Sequence, residues 1–164
     1  LKKLGLLVSL ISISAGANEL EADKQYSVGV GIGAAYSGLG ANVALVSRTD
    51  MKYLSAGCVE YSSNYGLTCG FGAGWIVTDL FNSNSNKHGL GVYVTKAGHE
   101  TNARIENGNL NVYENEYSGA GVSYTYFMNG IDKLGFTFGV SAHATNSDYD
   151  DSTSGVLLQV GYQF

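Results

Sequence analysis

From Tyr26 onward, apolar side chains recur at every second position, which is the period of an extended strand with two unlike faces. Tyr26, Val28, Val30, Ile32 and Ala34 alternate with Ser27, Gly29, Gly31, Gly33 and Ala35. A turn at Ser37 to Gly40 then predicts a second strand, with Ile32 opposite Leu45 and Ala34 opposite Val43. A turn at Thr49 to Lys52 predicts a third, with Leu45 opposite Ala56, Val43 opposite Cys58 and Ala44 opposite Gly57. Apolar positions meet apolar positions in each pairing, so three strands agree on one set of faces. A hairpin about Ser63 and Asn64 sets Cys58 against Cys69, Val59 against Thr68 and Tyr61 against Gly66. In the fourth strand Leu67, Cys69, Phe71, Ala73, Trp75 and Val77 share the apolar face.

Asn82 to Lys87 reads as a polar linker before a fifth strand marked by Leu90, Val92 and Val94. Gly98 to Glu116 loses the alternation and reads as an exposed loop, of which Leu110 to Tyr113 could extend the neighbouring strands. The sixth strand sets Ala120, Val122, Tyr124, Tyr126 and Met128 against Gly119, Gly121, Ser123, Thr125 and Phe127. After a turn at Asn129 to Lys133 the seventh sets Leu134, Phe136, Phe138, Val140, Ala142 and Ala144 against Gly135, Thr137, Gly139, Ser141 and His143. An acidic loop, Asn146 to Ser154, leads to the last strand, where Val156, Leu158, Val160, Tyr162 and Phe164 alternate with Leu157, Gln159, Gly161 and Gln163. Eight strands with one apolar and one polar, glycine-rich face predict an all-β, eight-stranded antiparallel up-and-down transmembrane barrel, apolar side to lipid. Closure removes every sheet edge, and an interior this narrow is filled by side chains, so no porin-like channel is expected.

The last strand resembles the closing strand of bacterial outer-membrane barrels, with apolar or aromatic residues at alternate positions ending on Phe164. In that family this pattern is the signal for the barrel-insertion machinery. As an architecture, the chain resembles the outer membrane protein X and opacity-protein group. The resemblance implies a bacterial outer-membrane location among lipid and lipopolysaccharide, a monomer, and a non-enzymatic role in adhesion, environment contact or membrane integrity.

Composition agrees with many strands. Glycine is abundant at 23 residues, tyrosine numbers 12, proline is absent, and charged residues make up only 14%, against about 25% in an ordinary soluble domain. Missing proline suits a chain whose backbone N–H groups must nearly all bond a neighbouring strand. The net charge of −5 gives no basic patch with which to hold nucleic acid. At the other end, Lys2 and Lys3 precede an apolar run from Leu4 to Ile13 and the small residues Ala15, Gly16 and Ala17. That order predicts a cleaved signal peptide over 1–17, leaving 18–164 as the barrel, and the run is too short for a helical span.

Candidate chemistry is sparse. Cys58 and Cys69, opposed across a hairpin and exported to an oxidising compartment, predict a structural disulfide. The run GFGAG at Gly70 to Gly74 lies within a strand and no helix follows it, so it is not a phosphate loop. His143, Thr145 and Asn146 resemble weakly the His, hydroxyl, Asn arrangement of lipid A deacylase barrels, which use a His, Ser and Glu triad. Threonine replaces the nucleophile here and no acid follows in the closing strand. A hydrogen-bonded interior histidine is the simpler expectation. Arg48 has the inner parity and is expected either to pair inside the lower barrel near Tyr53 or to sit at the rim. His88 and His99 lack metal-ligand spacing, and Asp148, Asp150 and Asp151 read as a solvated loop in preference to a Ca²⁺ site. No cofactor or metal is expected. The function implied is a non-enzymatic membrane anchor presenting loops, with a lipid A-modifying enzyme or a narrow conduit for small hydrophobic molecules as alternatives.

Overall fold

The computed structural model describes residues 24–60, 67–81, 85–106, 109–147 and 153–164. Eight antiparallel strands close into a barrel in chain order: β1 (Gln25–Gly33), β2 (Gly38–Val46), β3 (Asp50–Glu60), β4 (Leu67–Val77), β5 (His88–Glu106), β6 (Asn109–Phe127), β7 (Gly135–Ser147) and β8 (Thr153–Gln163). The alternation fixes which side chain faces where. Val30, Val43, Leu54, Val92, Val122 and Val160 are all exposed on the outer wall. Between them Asn42, Ala44, Tyr53, Ser55, Thr125 and Gln159 are buried in the lumen. Following paired residues round the wall from Val28 leads through Val43, Leu54, Ala73, Val94, Ala120 and Ala144 to Ser154. Val28 itself bonds Phe164 at both main-chain atoms. The shear is therefore ten residues, the gap from Ser154 to Phe164, which tilts the strands by about 40°.

Parity holds at the strand residues whose side chains are described, whereas two registers differ from expectation. The first turn is the 3-10 segment Ala34–Tyr36 with Ser37, so Ile32 faces Leu39 and not Leu45. Positive φ at Gly33 (117°), Ser37 (54°) and Gly38 (100°) lets the chain reverse here while folding Ala34, Ala35 and Tyr36 into the lumen. Ala34 accordingly leaves the outer face. The second turn is centred between Arg48 and Thr49, pairing Leu45 with Lys52 and Val43 with Leu54. Ser47 fixes it, its N–H donating to the Asp50 carbonyl (2.8 Å) and its hydroxyl accepting from the Asp50 N–H (3.1 Å). Arg48 is thus exposed at the rim and not inside the barrel.

The region expected to be a loop is strand instead. β5 and β6 run for 19 residues each, pairing Glu100 with Asn115 and Glu106 with Asn109 beyond an irregularity between Ala97 and Glu100. β4 reaches β5 only as far as Ala97, and β7 reaches β6 only as far as Tyr117. The upper hairpin therefore projects as a two-stranded arm at the end opposite the termini, hereafter the far end. Among the described residues no further strand joins either side of it, so its sequence is not held to the two-faced alternation of the wall.

The hairpin of β3 and β4 matches its expected register: Cys58 faces Cys69 and Val59 faces Thr68, and the cysteines are joined in a disulfide. Tyr61 and Gly66 lie outside the described residues. The bond spans a sequence separation of 11. Cys58→Ser with Cys69→Ser should lower stability by about 2–3 kcal/mol through the loop-closure entropy restored to the unfolded chain. Urea titration of the folded protein, with and without reductant, measures this, and the double variant should be indifferent to reductant.

Candidate functional site in the barrel interior

One row of inward positions crosses the wall from β3 to β8: Tyr53, Gly74, Tyr93, Gly121, His143 and Gly155, each directly opposite the next. Rings and glycines alternate along it. A Cβ on Gly74 would collide with the Tyr53 ring, one on Gly121 would lie 2.6 Å from Tyr93 Cζ, and one on Gly155 would lie 2.9 Å from His143 Cε1. Each glycine thus accepts the ring of the preceding strand, so three rings fit in a lumen too narrow for three rings and three further side chains.

The inward-folded turn supplies a fourth ring. Tyr36 lies over Gly31 and Gly161, while its main chain packs on Gly40 and Gly57. Its hydroxyl shares a 2.9 Å hydrogen bond with Thr137. Ser37 bonds Ser55 (2.8 Å), and Asn42 Nδ2 donates to the Ala35 carbonyl (3.1 Å). Asn42 in turn accepts from Gln163 Nε2 (3.2 Å), which also donates to Ser27 Oγ (2.9 Å). Ser27 Oγ donates to the Phe164 carbonyl (2.6 Å), linking this network to the β1–β8 seam. Asn42→Ala should cost about 1–3 kcal/mol, because it takes the amide donor from the buried Ala35 carbonyl and one of two acceptors from the buried Gln163 amide at once. A urea midpoint unchanged from the parent would contradict that.

Toward the termini the lumen is filled largely by apolar side chains. Val46, Met51, Ile76, Phe127 and Ile131 are each at most 3% exposed. Ile131 comes from the β6–β7 turn, whose N–H donates to the Asn86 carbonyl (3.0 Å). Asn86 also bonds Asp132 (2.7 Å) and the Arg48 carbonyl (3.3 Å), so the end turns are stitched across the mouth.

The residues singled out from the sequence do not converge. His143 points inward as expected, but its Nδ1, the atom an acid would hold in a triad, is buried with no hydrogen-bond partner among the described residues. The expectation of a hydrogen-bonded interior histidine is not met at that atom. Arg48 lies at the opposite end of the barrel from His143. His88 sits on the outer wall, its Nδ1 2.7 Å from the Tyr124 hydroxyl. The side chain of His99 and residues Asp148, Asp150 and Asp151 lie outside the described set. Sequence reasoning missed Tyr36, Tyr93, Asn42 and Gln163, which organise the lumen. The glycine and tyrosine parity was visible, but only the register shows which ring lies over which glycine.

No family model, no curated protein and no solved structure matches the chain. Its likeness to small barrels is one of architecture, carried by the closed eight-stranded antiparallel sheet.

Proposed function

We propose that the protein is a non-enzymatic outer-membrane barrel, a rigid anchor that holds its far-end hairpins out from the membrane for adhesion, environment contact or membrane integrity. The observation that carries this is the outer wall. Its side chains are aliphatic around the girth, including Val43 (57% exposed), Leu54 (63%), Val122 (59%) and Leu158 (78%). A soluble domain does not leave so continuous an apolar belt in water. At the termini end the belt turns aromatic: Tyr26, Trp75, Tyr124, Phe136, Tyr162 and Phe164 all face outward, as rings do at a membrane boundary. Trp75 there donates its indole N–H to Asp50 (3.2 Å) while the Lys52 ammonium lies 5.7 Å from its ring. The side chains packed across the lumen at the termini end favour an anchor over a conduit, and the His143 Nδ1, unpartnered among the described residues, favours it over a deacylase.

On this proposal residues 1–17 direct export, the strand ending at Phe164 engages the insertion machinery, and lipid and lipopolysaccharide surround a monomer. Trp75 is the only tryptophan, so its fluorescence reports depth. In phospholipid vesicles, lipids brominated near the headgroup should quench it more strongly than lipids brominated near the chain end. Equal absence of quenching by both would reject the membrane placement.

A further inference from the structure

β1 and β2 are short at the far end. β1 meets β8 only from Val28 opposite Phe164 up to Ile32 opposite Val160, whereas β8 continues with β7 to Thr153. Above Gly33, which packs on Gln159, β8 has no strand on its β1 side among the described residues. The wall is therefore notched there. Leu39 (70% exposed) lies on the outer wall of β2 at the foot of the notch, and Val156 (68%) and Leu158 (78%) line its β8 side. Leu157 marks where the notch opens inward. It has inward parity, opposite the buried Ser141, yet it is 46% exposed. An apolar path thus runs from the outer belt over Leu157 into the upper lumen.

A polar group waits at its inner end. His143 lies across the inner face of β8, with the Cε1 and Nε2 edge of its ring over Gly155. Only a glycine leaves space for that, and Gly155 stands two residues from Leu157 on the same face of β8. Its Nδ1 is buried and unpartnered among the described residues. Tyr53 and Tyr93 hold the same place in the row lower down, where the rings are enclosed; His143 alone stands where the wall is open. An imidazole N–H beside an aliphatic slot suits an acid head on a hydrocarbon tail.

We infer that the notch binds a long-chain carboxylate, its head at His143 and its chain passing over Leu157 to lie against Val156 and Leu158 in the bilayer. This rests on the membrane placement proposed above. The test uses the full chain folded in phosphatidylethanolamine–phosphatidylglycerol vesicles and a diazirine-bearing palmitate, with the crosslinks mapped by mass spectrometry. Saturable labelling should centre on the peptide containing Ser154 to Leu158, displaced by palmitate at concentrations at least tenfold below those needed of 1-hexadecanol. His143→Ala should remove that tenfold preference, and Leu157→Trp should abolish the labelling by filling the notch, while Leu90→Trp on the outer wall should leave it. Labelling spread over all outward peptides and not displaced by palmitate would overturn the inference, as would equal displacement by the alcohol in the unaltered chain. Trp75 quenching in the same samples separates the two failures: if quenching persists without local labelling, only the notch assignment falls, and if quenching is also absent, the membrane placement falls with it.

Discussion

Gly57→Val should destabilise the barrel by about 3 kcal/mol or more, at or beyond the upper end of ordinary overpacking. The reason is what surrounds the position. Gly57 faces inward on β3 opposite Gly40, and a Cβ there would press on the carbonyl oxygens of Tyr36, Ser37 (2.8 Å) and Leu39 (2.9 Å). These are backbone atoms, so no rotamer change relieves the clash. The turn would have to leave the lumen, exposing Tyr36 and breaking its bond to Thr137 and that of Asn42 to Ala35. The control is the neighbour, Ala56→Val, whose side chain points outward and is exposed. It should stay within about 0.5 kcal/mol of the parent. Urea titrations followed by Trp75 fluorescence compare the two, and similar midpoints would show that the inward-folded turn does not occupy the lumen.

The same pair of residues shows how far the sequence can be read. That Ala56 points out and Gly57 in followed from a period of two, because a one-residue slip would send a whole strand's apolar set into the lumen. A slip by an even number keeps the faces and is invisible to that test. The first two turns were displaced in this way; at the first, glycines at 29, 31, 33, 38 and 40 offer several equally good places to reverse, and at the second the turn is set by the Ser47–Asp50 bonds. At the β3–β4 hairpin the cysteines pinned the register, and there the expectation matched the structure. The β5–β6 arm stayed hidden because a hairpin joined by no further strand is not held to the alternation of the wall. Arg48 has inner parity by count, but parity loses its meaning once the strand has ended. The ring-and-glycine row needed five registers at once, so its residues were legible and its contacts were not.

The outer wall gives the second large effect. Val122→Arg should cost about 2–4 kcal/mol if lipid surrounds the barrel, because Val122 lies near mid-height on β6, between Ala120 and the aromatic girdle residue Tyr124. The same change at Tyr26, in that girdle, should cost only about 0–1 kcal/mol, since an arginine there reaches the headgroups. The contrast is diagnostic because packing does not explain it: Val122 is 59% exposed and Tyr26 87% exposed. Tyrosine loses the larger side chain, so any lost wall contact would rank the two the other way. In water, an arginine at either place would change stability by about 0.5 kcal/mol at most. Reversible urea unfolding from phospholipid vesicles should therefore show a large loss for Val122→Arg and a small one for Tyr26→Arg. In a short-chain detergent, where the girth is loosely covered and water is close, the gap should narrow. Equal costs in vesicles would place the belt against something other than a bilayer core, and the anchor proposal would fail at its base.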